Sequence, residues 1–217
     1  MLRVYLELGE KKVFACALDW AGWCRAGKTD ELAIEALTEY APRYEVIAAK
    51  AGLELAAGKV SVVEKVRGDA TTDFGAPGAV PDADGKRSTR KTAERQVALM
   101  QAAWDVFDKV AVKSPAELRK GLRGGGRDRD RDRDKMIAHL VDAERAYARK
   151  IGVKHPPFEL DDTKALAAMR AEIVEVLSAP SDGSPLTEKG WPARYAVRRF
   201  AWHVIDHLWE MEDRRTP

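Results

Sequence analysis

Apolar and polar positions change their period twice along this chain. Leu2 to Leu8 and Lys12 to Asp19 alternate or run apolar over strand lengths, with Gly9-Glu10 as turn material between them, and predict a hairpin. Asp19 to Thr29 is punctuated by Gly22 and Gly27 and reads as a loop. Thr29 followed by Asp30 and Glu31 supplies a capping hydroxyl and early carboxylates, so a helix is expected to about Tyr40; Pro42 breaks or kinks it, and Arg43 to Ala51 continues helical. The β-branched stretch from Lys59 to Val66 returns to the sheet. Residues 1–68 are thus expected to form a small ββαβ-type unit.

Residues 69–90 are dense in Gly, Pro and Asp, hold no sustained period and read as a linker, long enough for part of it to lie along the following helices and roof a pocket. From Thr92 the period becomes helical. Val97, Met100, Trp104, Phe107 and Val110 form a first stripe that ends near Ser114-Pro115. Met136, Leu140, Ala143 and Tyr147 mark a second helix from about Asp132 to Ile151, and Leu166, Met169, Ile173, Val176 and Leu177 a third that starts after Asp161-Asp162. The fourth opens at Trp191-Pro192 and carries Tyr195, Phe200, Val204, Leu208 and Met211. Four single stripes satisfy one another in a four-helix bundle over residues 91–217, so the fold class is α+β, a small sheet unit followed by a bundle. A fragment starting near Arg87 is expected to fold as helices by itself. Between the first two helices, Gly124 to Gly126 leads into the alternating Arg/Asp run 127–134. Every arginine there has an aspartate beside it, which makes a solvated run and no nucleic-acid site.

Composition narrows the class without naming it. The 217 residues are 45% hydrophobic and 33% charged, ordinary for a globular chain, and 37 basic against 35 acidic residues leave a net charge of +2. So small a charge supplies no global field for nucleic acid or an anionic membrane. No apolar run approaches a membrane span, and Met1 to Glu7 turns acidic before a signal-peptide core develops, so the expected location is cytoplasmic. The two cysteines, Cys16 and Cys24, match no metal-ligand spacing and read as reduced thiols.

Candidate chemistry lies in three of the four histidines. His203 and His207 are four apart on the last helix, which lets both imidazoles turn to one point, and His139 sits on or beside the packed face of the second helix. Three neutral imidazoles leave a divalent cation its full charge and an open position, the arrangement of a catalytic site; zinc suits imidazole best, with nickel next. Such a centre could activate a thiol or a water, and at this level the two stay open. A metalloprotease is disfavoured, since Val204 stands where that chemistry places its glutamate. Glu210 is three residues from His207 and shares its face, so it is the catalytic candidate, as ring orienter or acid/base. Glu144 is five from His139 and points elsewhere or to a neighbouring helix. Arg194 and Arg198, with Arg199, are candidates for binding an acidic cofactor near the helix start, and His155 reads as a loop residue at the surface.

Two resemblances attach to these residues. The pattern His139-Leu-Val-Asp-Ala-Glu144 on the second helix and His203-Val-Ile-Asp-His207 on the fourth resembles the DinB-like metal-binding bundles, which include bacillithiol- and mycothiol-dependent S-transferases, over about residues 90–215. It implies a divalent metal held by His139, His203 and His207 and a small-molecule thiol or electrophile as partner; the Ala, Arg, Asp and Gly content tilts the thiol towards mycothiol. Asp19-Trp-Ala-Gly22-Trp-Cys24, Gly27-Lys-Thr29 and the Glu-rich helix to Glu39 are similar to HicB-like antitoxin modules, although Ala21 replaces the expected proline and a Trp precedes the cysteine. That likeness implies a partner-binding unit without catalysis. The alternative function is therefore a regulatory or stress protein whose metal is structural, and homodimerisation through the small sheet stays open.

Overall fold

A computed structural model describes residues 1–55, 58–119 and 132–215. Its architecture is α+β: a four-stranded sheet at the N-terminus, then helices. Strands β1 (Leu2–Leu8) and β2 (Val13–Ala17) form the expected antiparallel hairpin, and Val4 faces Ala17 while Tyr5 faces Cys16. β3 (Cys24–Gly27) pairs antiparallel with β2. The sequence reading made this stretch loop, and the structure corrects it: four residues are too few to show an alternation, and their pairing is set by β2 across the turn at Gly22. Helix α1 (Asp30–Glu39) starts where Thr29 caps the Leu32 amide, and α2 (Ala41–Lys50) carries Pro42 in its first turn, so the proline opens a second helix. β4 (Val60–Arg67) then joins the sheet parallel to β1, giving the order β3-β2-β1-β4.

Alternation in β1 separates two packed faces. Leu2, Val4 and Leu6 turn to the main core with Val13, Ala15 and Ala17 of β2. Tyr5, Phe14, Cys16 and Cys24 form a second cluster on the opposite face with Leu18, Ala76 and Trp202. The 69–90 segment covers that second face as a strap. It carries the short helix α3 (Ala70–Phe74), capped by Asp69 and ended by Gly75 at φ 112, where a left-handed turn favours glycine. Glu7 is fully buried beneath it and accepts hydrogen bonds from the Thr72 hydroxyl (2.6 Å) and the amides of Gly78 and Ala79. The Asp73 carboxylate in turn accepts the amides of Glu10, Lys11 and Lys12 in the β1–β2 turn, which hold it below the usual carboxylate range. As expected of part of this segment, it also lies against the last helix.

The long helices are α4 (Arg90–Lys113), α5 (Arg133–Ala148), α6 (Thr163–Ser178) and α7 (Ala193–Arg215). Their expected stripes are the buried ones: Val97, Met100 and Trp104 in α4, Met136 and Leu140 in α5, Met169 and Ile173 in α6, Phe200, Val204 and Leu208 in α7. Ala143 and Tyr147 of the expected α5 stripe and Leu166 and Val176 of the expected α6 stripe are only half-buried. Sheet and helices share a single apolar cluster, running from Leu6 and Tyr44 through Leu99 and Met100 to Phe200 and Leu208. The two textures of the sequence therefore do not mark two separate cores. At the seam Gly22, at φ 81, lies against the α7 backbone: a Cβ there would stand 2.6 Å from the Ala201 carbonyl carbon and the Trp202 nitrogen. No described helix is long and apolar enough to cross a membrane. The glycine run and most of the Arg/Asp run lie outside the described residues; Arg133 and Asp134 form an ion pair in the first turn of α5.

Candidate metal centre

Helix α7 places its polar stripe by simple phase. Arg199, His203, His207, Glu210 and Arg214 follow one another at intervals of four, four, three and four residues, so they share one face. His139 on α5 comes to the same place. The three imidazoles form a near-equilateral triangle with ring centroids 5.1, 5.1 and 4.9 Å apart, and one ligand nitrogen from each lies within 4.8 Å of the others. His203 and His207 are buried, and His139 is half-buried.

The donor set fits a divalent cation. Nitrogens bound to one zinc ion at about 2.1 Å in a tetrahedral shell sit roughly 3.4 Å apart, inside the bound on this trio. The second ring nitrogen of His207 is already engaged. Its Nδ1 pairs with Glu210 Oε2 at 2.9 Å, which leaves Nε2 as the donor and fixes the ring plane. Glu210 is itself held: Arg214 donates to Oε1 at 2.9 Å, and the Arg214 Nε donates to the Arg119 carbonyl at 2.6 Å. Arg119 returns its amide to the Arg214 carbonyl and a guanidinium donor to the Asp213 carbonyl, so the end of α7 and the segment after α4 lock together. Glu210 thus stands where an orienting group belongs.

An aromatic wall closes the N-terminal side of the trio. The Tyr147 ring is 5.6 Å from the His203 ring and also packs on Phe200 and Trp191. Arg199 reaches it with a hydrogen bond to the Tyr147 hydroxyl (3.2 Å), donates to the Pro77 carbonyl of the strap (2.5 Å), and lies over the Trp202 ring. Tyr195 donates to the Gly78 carbonyl and so anchors the strap, and burial, its largest perturbation, pushes its hydroxyl up to about 12.

Two arginines expected to bind a cofactor are placed otherwise. Arg198 is 5% exposed and paired with the buried Asp84 of the strap, its guanidinium over the Tyr5 ring. It is committed to the fold, because five residues before His203 on a helix is about 140° away from it. Arg194 donates to the Arg87 carbonyl and lines a cleft with Arg3, Glu64 and Lys86 that none of the histidines enters. Glu144 meets a neighbouring helix, as its phase required: it is buried against Arg170 of α6 at 3.1 Å, and burial raises its carboxyl despite that partner. His155 pairs with Glu172, away from the trio. Sequence reasoning missed Tyr147 and Arg214 as members of the site, although Tyr147 is eight residues beyond His139 and Arg214 four beyond Glu210.

No family model, curated protein or solved structure matches this chain, so the site stands on its own geometry.

Proposed function

We propose that the protein is a divalent-metal-dependent enzyme of DinB-like type that activates a low-molecular-weight thiol of the mycothiol or bacillithiol kind for transfer to a small electrophile, with water activation as the variant chemistry. The observation that carries this reading is the convergence of His139 from α5 with His203 and His207 from α7, backed by a half-buried carboxylate on the outer nitrogen of His207. The order of the motifs along the four long helices is that of the DinB-like bundles, which supports the same reading. A cation there would supply a Lewis-acid centre that favours the thiolate over the thiol. Zinc is the first expectation and nickel the second.

The chain's own groups do the rest. Three imidazoles would bind a cation in their neutral form and add no charge of their own, while Glu210 on the His207 Nδ1 keeps that ring from turning. Arg199 and Tyr147 stand beside His203, and the Arg199 guanidinium is the cation nearest the trio on that side that an anionic substrate group would meet. Elemental analysis of untagged protein tests the reading. The wild type should carry about one zinc or nickel per chain, and a His203→Ala, His207→Ala double variant should carry none; equal metal in both removes it.

A further inference from the structure

The two cysteines that the proposed chemistry leaves unused face each other across neighbouring strands. Cys16 of β2 is the direct register partner of Cys24 of β3. The class of that pair follows from the next rung. The Ala17 amide donates to the Trp23 carbonyl, so residues 17 and 23 occupy a hydrogen-bonded position and residues 16 and 24 the non-hydrogen-bonded one. Cα atoms at such a position are about 4.5 Å apart with their side chains on the same face, within the range a disulfide spans. Both side chains indeed lie in the cluster on the strap side of the sheet. A chain with only two cysteines has placed them at one of the few strand positions where they can join without backbone movement.

The surroundings make the two thiols unequal. Cys16 is fully buried in mid-sheet, between Tyr5 on one side and Cys24 on the other, and burial holds it protonated well above the ordinary thiol range. Cys24 lines a water-sized pocket together with Tyr195, Arg198, Arg199 and Trp202. Cys16 is not among the residues that line it, so a small molecule in the pocket meets Cys24 first. So small a pocket excludes a bulky disulfide such as oxidised glutathione, which leaves a small hydroperoxide as the oxidant class.

We infer that Cys24 and Cys16 form a peroxide-oxidisable dithiol, Cys24 reacting first and Cys16 resolving it into an intramolecular disulfide. The Cys24 thiolate attacks one oxygen of hydrogen peroxide, breaking the O–O bond; the sulfur becomes a sulfenic acid and the other oxygen leaves, with the thiol proton, as water. The Cys16 sulfur then displaces the sulfenic hydroxyl, which leaves with the Cys16 proton as a second water, so that two thiols and one peroxide give one disulfide and two waters. Trp202 belongs to the same cluster and directly precedes His203, so the pair adjoins the helix that carries the metal ligands.

Intact-mass spectrometry of the folded full chain after a small excess of hydrogen peroxide decides the matter. The expected product is lighter by two hydrogens, carries no alkylatable thiol after unfolding, and returns to the starting mass with dithiothreitol. Cys16→Ser should stop at a sulfenic acid on Cys24 that dimedone traps, and Cys24→Ser should resist the same dose. Two thiols that survive a dose which oxidises the urea-unfolded chain, an oxidised product that is only an interchain dimer, or sulfinic acid in place of the disulfide would overturn the inference. The wild-type measurement decides alone if either variant fails to fold.

Discussion

Replacing Glu210 by Gln probes the metal centre most directly, because the change is one atom in size and the structure says which bond it must break. Glu210 uses both oxygens: Oε2 on His207 Nδ1 and Oε1 on Arg214. A glutamine offers one oxygen and one amide, so whichever way it turns, an NH2 meets either the His207 Nδ1 proton or the Arg214 guanidinium, a donor against a donor. If the amide faces His207, the ring loses its anchor and its added basicity, and outer-shell losses of this kind cost roughly 10–100-fold in metal affinity, about 1.4–2.7 kcal/mol. If it faces Arg214, a guanidinium only 4% exposed loses its countercharge. Breaking a buried pair costs about 3–5 kcal/mol. The surviving bond from Arg214 Nε to the Arg119 carbonyl puts this case near the lower end, about 3 kcal/mol.

Chelator competition with zinc, beside urea unfolding of the metal-free protein, measures the two costs separately. We expect weaker metal binding if the amide turns to His207 and lower stability if it turns to Arg214. An acid/base role for Glu210 predicts another pattern, with metal affinity kept and turnover reduced by roughly 10²–10⁴-fold. A folded Glu210→Gln protein that keeps both its wild-type stability and its zinc affinity within about twofold would refute the orienting argument.

Two further outcomes follow from the seam between sheet and helices. Gly22→Ala puts a side chain into a left-handed turn, at about 1–2 kcal/mol for the conformation alone, and a Cβ against the α7 backbone, so urea unfolding should show a loss above that figure; an unchanged midpoint would mean that the turn and α7 are not pressed together. A fragment starting at Arg87 loses the sheet face of the shared core and strands Arg198 without Asp84, so its circular dichroism should melt without cooperativity, and a sharp transition would restore the picture of an independent bundle.

What could be read from the sequence was whatever rests on local repetition. The four helical stripes, the Thr29 cap and the hairpin at Gly9-Glu10 depend on residues within a few positions of each other, and the structure places them where expected. The histidine trio was legible for the same reason, since two members are one turn apart and the third has a phase on its own helix. β3 was not, because four residues carry no period, and its pairing, which brings Cys24 opposite Cys16, is decided by β2. The strap was legible as a break in pattern but not as a structure. Its bonds run from Glu7 to Gly78 and from Asp84 to Arg198, across more than seventy residues in the first case and more than a hundred in the second.

The arginines of α7 show where local arithmetic stops. Counting back from His203, Arg199 is four residues away and shares its face, whereas Arg198 is five away and does not, so phase alone separates a residue beside the site from one outside it. Phase cannot say what Arg198 does instead. A buried guanidinium must find a carboxylate, and that carboxylate is Asp84, supplied by a segment that composition marked only as linker. The same holds for the Glu210 network: its i, i+4 pairing with Arg214 is visible on a helical wheel, but the Arg119 carbonyl that completes it lies nearly a hundred residues earlier. The candidate ligands are thus set by helix phase, and the group that completes the Glu210 network, a main-chain carbonyl, comes from a distant chain segment that no helical wheel can show.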